Sequence, residues 1–150
     1  MAEYKTSERQ LQFLATRKPF WKIHCVRNTS DEVVFKDGLC DAHTHGLVEH
    51  IGIELQITLD LEPAITAAIL NKVAFLAILN GWNLYDHDRL KGLFPKDYEV
   101  EFFETTDYFG EPVLRLVLPD AKNNTGPDAE EPFNLQRENP YITGPEIEER

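Results

Sequence analysis

Asp41, His43 and His45 stand at alternate positions of the segment Cys40-Asp41-Ala42-His43-Thr44-His45-Gly46-Leu47. In an extended chain, alternate side chains point to one side, about 7 Å apart at each step of two. Two imidazoles so placed are candidate ligands for a divalent metal such as zinc, manganese or iron. A carboxylate beside them completes the set or orients a ring from behind. Without a metal the same residues can bind a ligand or exchange protons, since histidine titrates near neutrality. His50, Glu54, Asp86 and His87 join the candidate ligand-binding set if folding brings them close. A metal-dependent enzyme built this way would be a hydrolase, with Glu54 or Asp86 as general base.

A plainer reading makes these residues the wet face of a strand, with Gly46 kept for its backbone freedom. Cys40 lies beside Asp41 and three residues from His43, which suggests a thiol nucleophile. In an extended strand, however, it points away from His43, as a small buried hydrophobe would. Asp86-His87-Asp88 falls in an irregular stretch, where either a functional loop or a solvated turn accounts for it. The Asp-x-His-x-His string is similar to the metal-binding start of barrel amidohydrolases. Such a barrel needs about 250 residues, and this chain has 150. The sequence contains no Gly-rich phosphate loop, Cys-x-x-Cys pair or serine nucleophile elbow.

The elements that must position these groups are legible from periodicity. Over 53–61 the odd positions are Ile53, Leu55, Ile57, Leu59 and Leu61, and the even ones are Glu54, Gln56, Thr58 and Asp60. That alternation predicts a strand with one apolar and one solvated face, in an antiparallel or mixed sheet. Pro63 suits a first helical turn, and from Ala64 to Leu79 only Thr66, Asn71 and Lys72 are polar. A helix apolar nearly all round is expected in a core. It is short of the roughly 20 apolar residues of a membrane span, and Asn71 and Lys72 fall near its middle. Asn80-Gly81 supplies its stop.

Upstream, 6–18 reads as a short amphipathic helix with Ser7 and Gln10 as a capping box. Residues 20–26 read as a strand, 32–36 as its hairpin partner, and 48–52 as a loop. Downstream, 82–94 is irregular, and 98–104 and 112–118 are strands. Trp21, Trp82, Phe102 and Phe103 are expected core aromatics. The sum is a single α+β domain over 1–136: a mainly antiparallel sheet covered by one long buried helix, plus a short N-terminal helix. Residues 137–150 are an acidic, loose tail, with Pro132-Phe133 and Tyr141-Ile142 as points where the chain end docks.

The net charge is −11, unevenly spread. Residues 1–27 carry six Lys or Arg against two Glu, for +4, and the remainder carries −15. An acidic body disfavours nucleic acid, whose binding rests on cations meeting phosphates. The basic arm is expected to pack on that body. With two cysteines and no apolar run at the N-terminus, a reduced cytoplasmic setting without signal peptide or anchor is expected. Oligomeric state is not written in the sequence.

His43-Thr44-His45-Gly46-Leu47, Glu54-Leu55-Gln56, Leu59-Asp60-Leu61 with Pro63, and Ile69-Leu70-Asn71 carry a resemblance. So do Val113-Leu114-Arg115-Leu116, Pro119-Asp120, Pro127-Asp128 and 131–136. Over about residues 38–136 the chain resembles a bacterial family known as domain of unknown function 4262. Gly52 and Ile53 depart from it, standing where members often have His-Pro. His45 departs too, standing where they often carry an apolar residue. The resemblance implies one small bacterial domain, no assigned activity, and no essential role for His45. Three functions follow as expectations. The first is a cytoplasmic module binding a small molecule or protein near 41–50 and 82–88. The second is a metal-dependent hydrolase using Asp41, His43 and His45. The third is an acidic interaction or inhibitor protein acting on a host or phage component.

Overall fold

The computed structural model describes residues 1–142; residues 143–150, and with them most of the expected tail, lie outside the described part. Seven strands form one sheet: β1 (Glu3–Lys5), β2 (Lys22–Val26), β3 (Leu39–His45), β4 (Glu54–Leu59), β5 (Arg89–Lys91), β6 (Val100–Thr106) and β7 (Pro112–Val117). Their order across the sheet is β1-β5-β6-β7-β4-β3-β2. The β1–β5 and β4–β7 pairs are parallel and the other four antiparallel, so the sheet is mixed and mainly antiparallel. Three α-helices accompany it: α1 (Glu8–Leu14), α2 (Val48–Ile51) and α3 (Pro63–Asn80).

Pro63 opens α3, and Gly81 closes it in the left-handed conformation at φ 67, as their backbone chemistry dictates. Leu55, Ile57 and Leu59 of β4 share one hydrophobic core with Leu70, Val73 and Leu76 of α3. By length and composition α3 could also cross a membrane; its buried residues instead meet the sheet's. The helix is not enclosed all round, as its composition predicted. Ile65, Ile78 and Leu79 are exposed, because the sheet and the neighbouring helices meet only part of its circumference. In α1 the Gln10 amide donates to the Ser7 hydroxyl at 3.2 Å. The Gln10 side chain turns to Thr6 and Asn80 instead of closing the box.

Other expectations need correction. Residues 32–36 form no strand, only an isolated bridge from Phe35 to Tyr141. The Asn28 carboxamide accepts from the Val34 and Phe35 amides at 2.8 and 2.9 Å, holding the loop closed on itself. Residues 48–51 are a helical turn rather than a loop. Two strands of three residues, β1 and β5, were too short to show alternation. Just past this parallel pair the two chains run close together, and a side chain at Gly92 (φ +93) would strike the Thr6 carbonyl.

The most consequential correction concerns β4. Its expected wet face is dry: Gln56 is 1% exposed and Thr58 is fully buried. The chain end supplies part of the explanation. Residues 132–142 form a strap, with the Lys36 amide donating to the Pro140 carbonyl at 2.8 Å and Tyr141 bridged to Phe35. The docked body therefore runs past residue 136 to at least Ile142, and both expected docking points are met.

Candidate functional site

Directly paired residues of neighbouring strands project to the same face. The register aligns His24 with His43, His43 with Gln56, Gln56 with Arg115, and Arg115 with Phe103. A row of polar side chains thus crosses four strands on the side away from Leu55 and Ile57. Asp41 joins it beside His43.

Asp41 is the hub. Its Oδ1 lies 3.1 Å from Nδ1 of His43 and accepts from the Gln56 amide nitrogen at 3.0 Å. Its Oδ2 accepts from the Tyr141 hydroxyl at 3.0 Å. Burial alone would raise the Asp41 pKa, but hydrogen bonds from His43, Gln56 and Tyr141 outweigh it and hold the carboxyl below its ordinary value. The bond to Asp41 raises the His43 pKa, against a smaller opposing effect of burial. The Tyr141 hydroxyl is pushed up by burial and by the Asp41 charge. A buried carboxylate thus fixes one ring nitrogen of His43. Nε2 has no hydrogen-bond partner among the described residues.

Arg115 is the second hub. It is 3% exposed. Its Nε donates to Gln56 Oε1 at 2.8 Å, and Nη1 donates to the Gln136 and Glu138 carbonyls at 2.9 Å each. Gln136 in turn donates to the Leu118 carbonyl and accepts from the Leu118 amide, both at 2.7 Å. The strap is therefore tied to β7 and its end through the side chains of Arg115 and Gln136. Arg137, farther along, binds Glu101 and the Thr125 carbonyl. Burial would raise the Glu101 pKa, but Arg137 and Arg89 outweigh it and lower it.

Between strap and β6–β7 hairpin lies a cavity of about 280 Å³. Gln56 and Arg115 reach it from the sheet, Thr105 and Tyr108 from the hairpin, Asn139 and Tyr141 from the strap. The Tyr108 and Tyr141 rings lie 4.6 Å apart between centroids. Its size is near the lower end of the roughly 300–1,000 Å³ typical of ligand pockets.

The sequence-derived candidates fare differently. Asp41 and His43 meet, and His45 stacks on His24 with centroids 5.1 Å apart. Among the described residues no group of three or more His, Cys, Asp or Glu is arranged to hold a metal. Glu54 is fully engaged: its oxygens accept from the Thr44 hydroxyl and from the Gly46, Leu47 and Val48 amides. It ties down the turn into α2, and no lone pair is left for a base's work. His50 is exposed against the Phe20 ring, centroids 5.6 Å apart.

Asp86 accepts from the Glu104 amide at 2.8 Å and contacts His87, whose other ring nitrogen is 3.5 Å from Glu101. These two border β6, with β7 and β4 between them and β3. That is on the order of 14 Å of sheet, too far to join Asp41. Asp88 is buried and accepts from the Ala2 and Tyr85 amides. Cys40 donates to the Leu59 carbonyl at 3.3 Å, and burial pushes its thiol to a pKa of about 12. It is a core group, not a nucleophile.

Sequence reasoning missed His24, Gln56, Tyr141 and Arg115 as site residues. For Arg115 a signal existed: it is the one charge inside the apolar run Val113-Leu114-Arg115-Leu116-Val117-Leu118. No protein-family model, curated protein or solved structure matches the chain.

Proposed function

We propose that the chain is a binding module for a small polar molecule, seated in the cavity between the strap and the β6–β7 hairpin. The observation that carries this reading is a coincidence of place. The buried network of Asp41, Gln56, Tyr141 and Arg115 ends at that cavity. Buried, mutually bonded ionisable groups beside a concave site are an arrangement in which functional sites concentrate. On this reading α3 covers the apolar side of the sheet and the strap covers the polar side. The free thiols Cys25 and Cys40 fit a reducing, cytoplasmic setting. The resemblance to domain of unknown function 4262 adds no activity to it.

Saturation-transfer NMR of the full chain against a library of small metabolites tests the proposal. At least one compound should bind, and Thr105→Phe, whose ring would fill the cavity, should weaken it at least tenfold while the spectrum stays folded. A library without binders, or binding indifferent to that substitution, removes the reading.

A second reading is favoured by the Asp41–His43 pair, which leaves Nε2 of an oriented imidazole without a partner among the described residues. The pair then acts as a metal-free acid or base on a bound substrate. Turnover of an ester or amide panel, lost in His43→Gln and unaffected by chelator, supports it; turnover retained in His43→Gln excludes it.

A further inference from the structure

Arg115 is a buried cation whose protein partners are all neutral. Gln56 contributes an amide oxygen, Gln136 and Glu138 contribute main-chain carbonyls. Among the described residues no carboxylate forms an ion pair with it. Asp41 communicates with it only through the Gln56 amide, which binds both. An enclosed charge without a counter-charge is costly unless something neutralises it. The cost is visible in the guanidinium itself, whose pKa burial lowers to about 10, with Asp41 opposing that only in part.

One part of this guanidinium remains uncommitted. Nε and Nη1 are used, whereas Nη2 has no hydrogen bond among the described residues. The enclosed side-chain atoms left without partners are Thr58 Oγ1, Glu99 Oε2 and Asn134 Oδ1, and Nη2 is not one of them. Among the described residues it is therefore neither bonded nor counted as enclosed, and Arg115 is one of the residues that line the cavity.

The charge of the cavity narrows the ligand. Arg137 also lines it, but its guanidinium is committed to Glu101 and the Thr125 carbonyl. Asp107 lines it too, with Oδ1 accepting from the Phe109 and Glu111 amides. Arg115 is thus the cation of the lining with no carboxylate partner among the described residues, and the charges of Asp107 and of nearby Asp41 disfavour a ligand carrying more than one negative charge. A phosphate dianion does not suit that balance. We propose that the cavity takes a monocarboxylate, its oxygen received by Arg115 Nη2 and its body lying by the Tyr108 and Tyr141 rings. Thr105, Thr106, Tyr108 and Asn139 are the lining residues that carry further side-chain donors. A guanidinium–carboxylate bond in a site shielded from water is among the stronger polar contacts available.

This inference rests on the reading that the cavity is a ligand site, and the test separates the two. Full-length protein is titrated with acetate, butyrate and benzoate, with their primary amides, and with inorganic phosphate. The Arg115 Nε–H resonance is followed by ¹H–¹⁵N NMR. The acids should shift it saturably and bind at least tenfold tighter than the amides, and Arg115→Lys should weaken them at least tenfold. Because Arg115 also holds the strap, the acid–amide comparison in the unaltered protein decides the matter without any variant. A blocked tripeptide with a free C-terminus, set against its amidated form, tells a chain terminus from a free acid, and preferential binding of either acid supports the carboxylate. Amides binding as well as acids, or phosphate binding in preference, overturns the proposal while leaving the cavity reading intact. No binding by any acid overturns it as well, and if the metabolite library also yields nothing, both fall.

Discussion

The two sides of β4 are equally dry and are held by different physics. Leu55, Ile57 and Leu59 are buried among side chains of the sheet and of α3. Gln56, on the other side, is just as enclosed, yet its amide is bonded to Asp41 and Arg115. Apolar burial is roughly proportional to area and needs no fixed partner, so many sequences could satisfy the first side. The second depends on matching donors to acceptors, because an orphaned polar group in a dry site costs more than its bond contributes. Gln56 meets that condition, whereas Thr58 Oγ1 is enclosed without a partner among the described residues. The apolar side makes the fold, and the polar side carries the candidate site.

The contrast can be broken or sharpened by experiment. The largest effect is expected for Leu114→Ala on the apolar side, where Leu114 is fully buried. Urea denaturation should show a loss of about 3–4 kcal/mol with the native spectrum otherwise kept. A cost under about 1 kcal/mol would place the core elsewhere.

On the polar side, Arg115→Ala should cost about 3 kcal/mol by orphaning Gln56 and two strap carbonyls. Its signature should differ, with faster hydrogen exchange at the Lys36 and Leu118 amides, which the strap protects. If exchange there is unchanged, the strap does not depend on Arg115. Tyr141→Phe removes one hydroxyl bond to Asp41 and should cost about 1 kcal/mol.

The Asp41–His43 pair gives the polar side a pH dependence that the apolar side lacks. Asp41 is lowered from its ordinary 3.8, so its contribution is present above that value and lost as acid titrates the folded carboxylate. His43 is raised from its ordinary 6.5, so its contribution is complete below that value and lost as pH rises through the folded pKa. The pair should stabilise most between about pH 4 and 6.5. Urea midpoints in His43→Gln should lose the alkaline decline, and a decline that survives must come from another group. The smallest effect is expected for His45→Ala, an exposed position, at under about 0.5 kcal/mol by the same urea titration. A larger loss would show that the stack with His24 matters to the fold.

What the sequence determined by itself is local: the extended run 39–45, the β4 strand, the α3 helix with its proline start and glycine stop, and the separation of Cys40 from His43. Period and backbone chemistry act between residues a few positions apart, so they can be read along the chain. Even the pairing of Asp41 with His43 needed only a step of two in a strand. Tertiary structure alone decided that the even positions of β4 are buried, that Glu54 is spent on a turn, and that Asp86 and His87 stand strands away from Asp41. It also decided that Arg115 and Tyr141 join the hydrogen-bonded network of Asp41 and Gln56. Each of these depends on a contact across many positions, up to the hundred between Asp41 and Tyr141. Hydrophobic alternation marks which residues avoid water, but a polar side chain reads the same whether water or a buried neighbour on the next strand satisfies it.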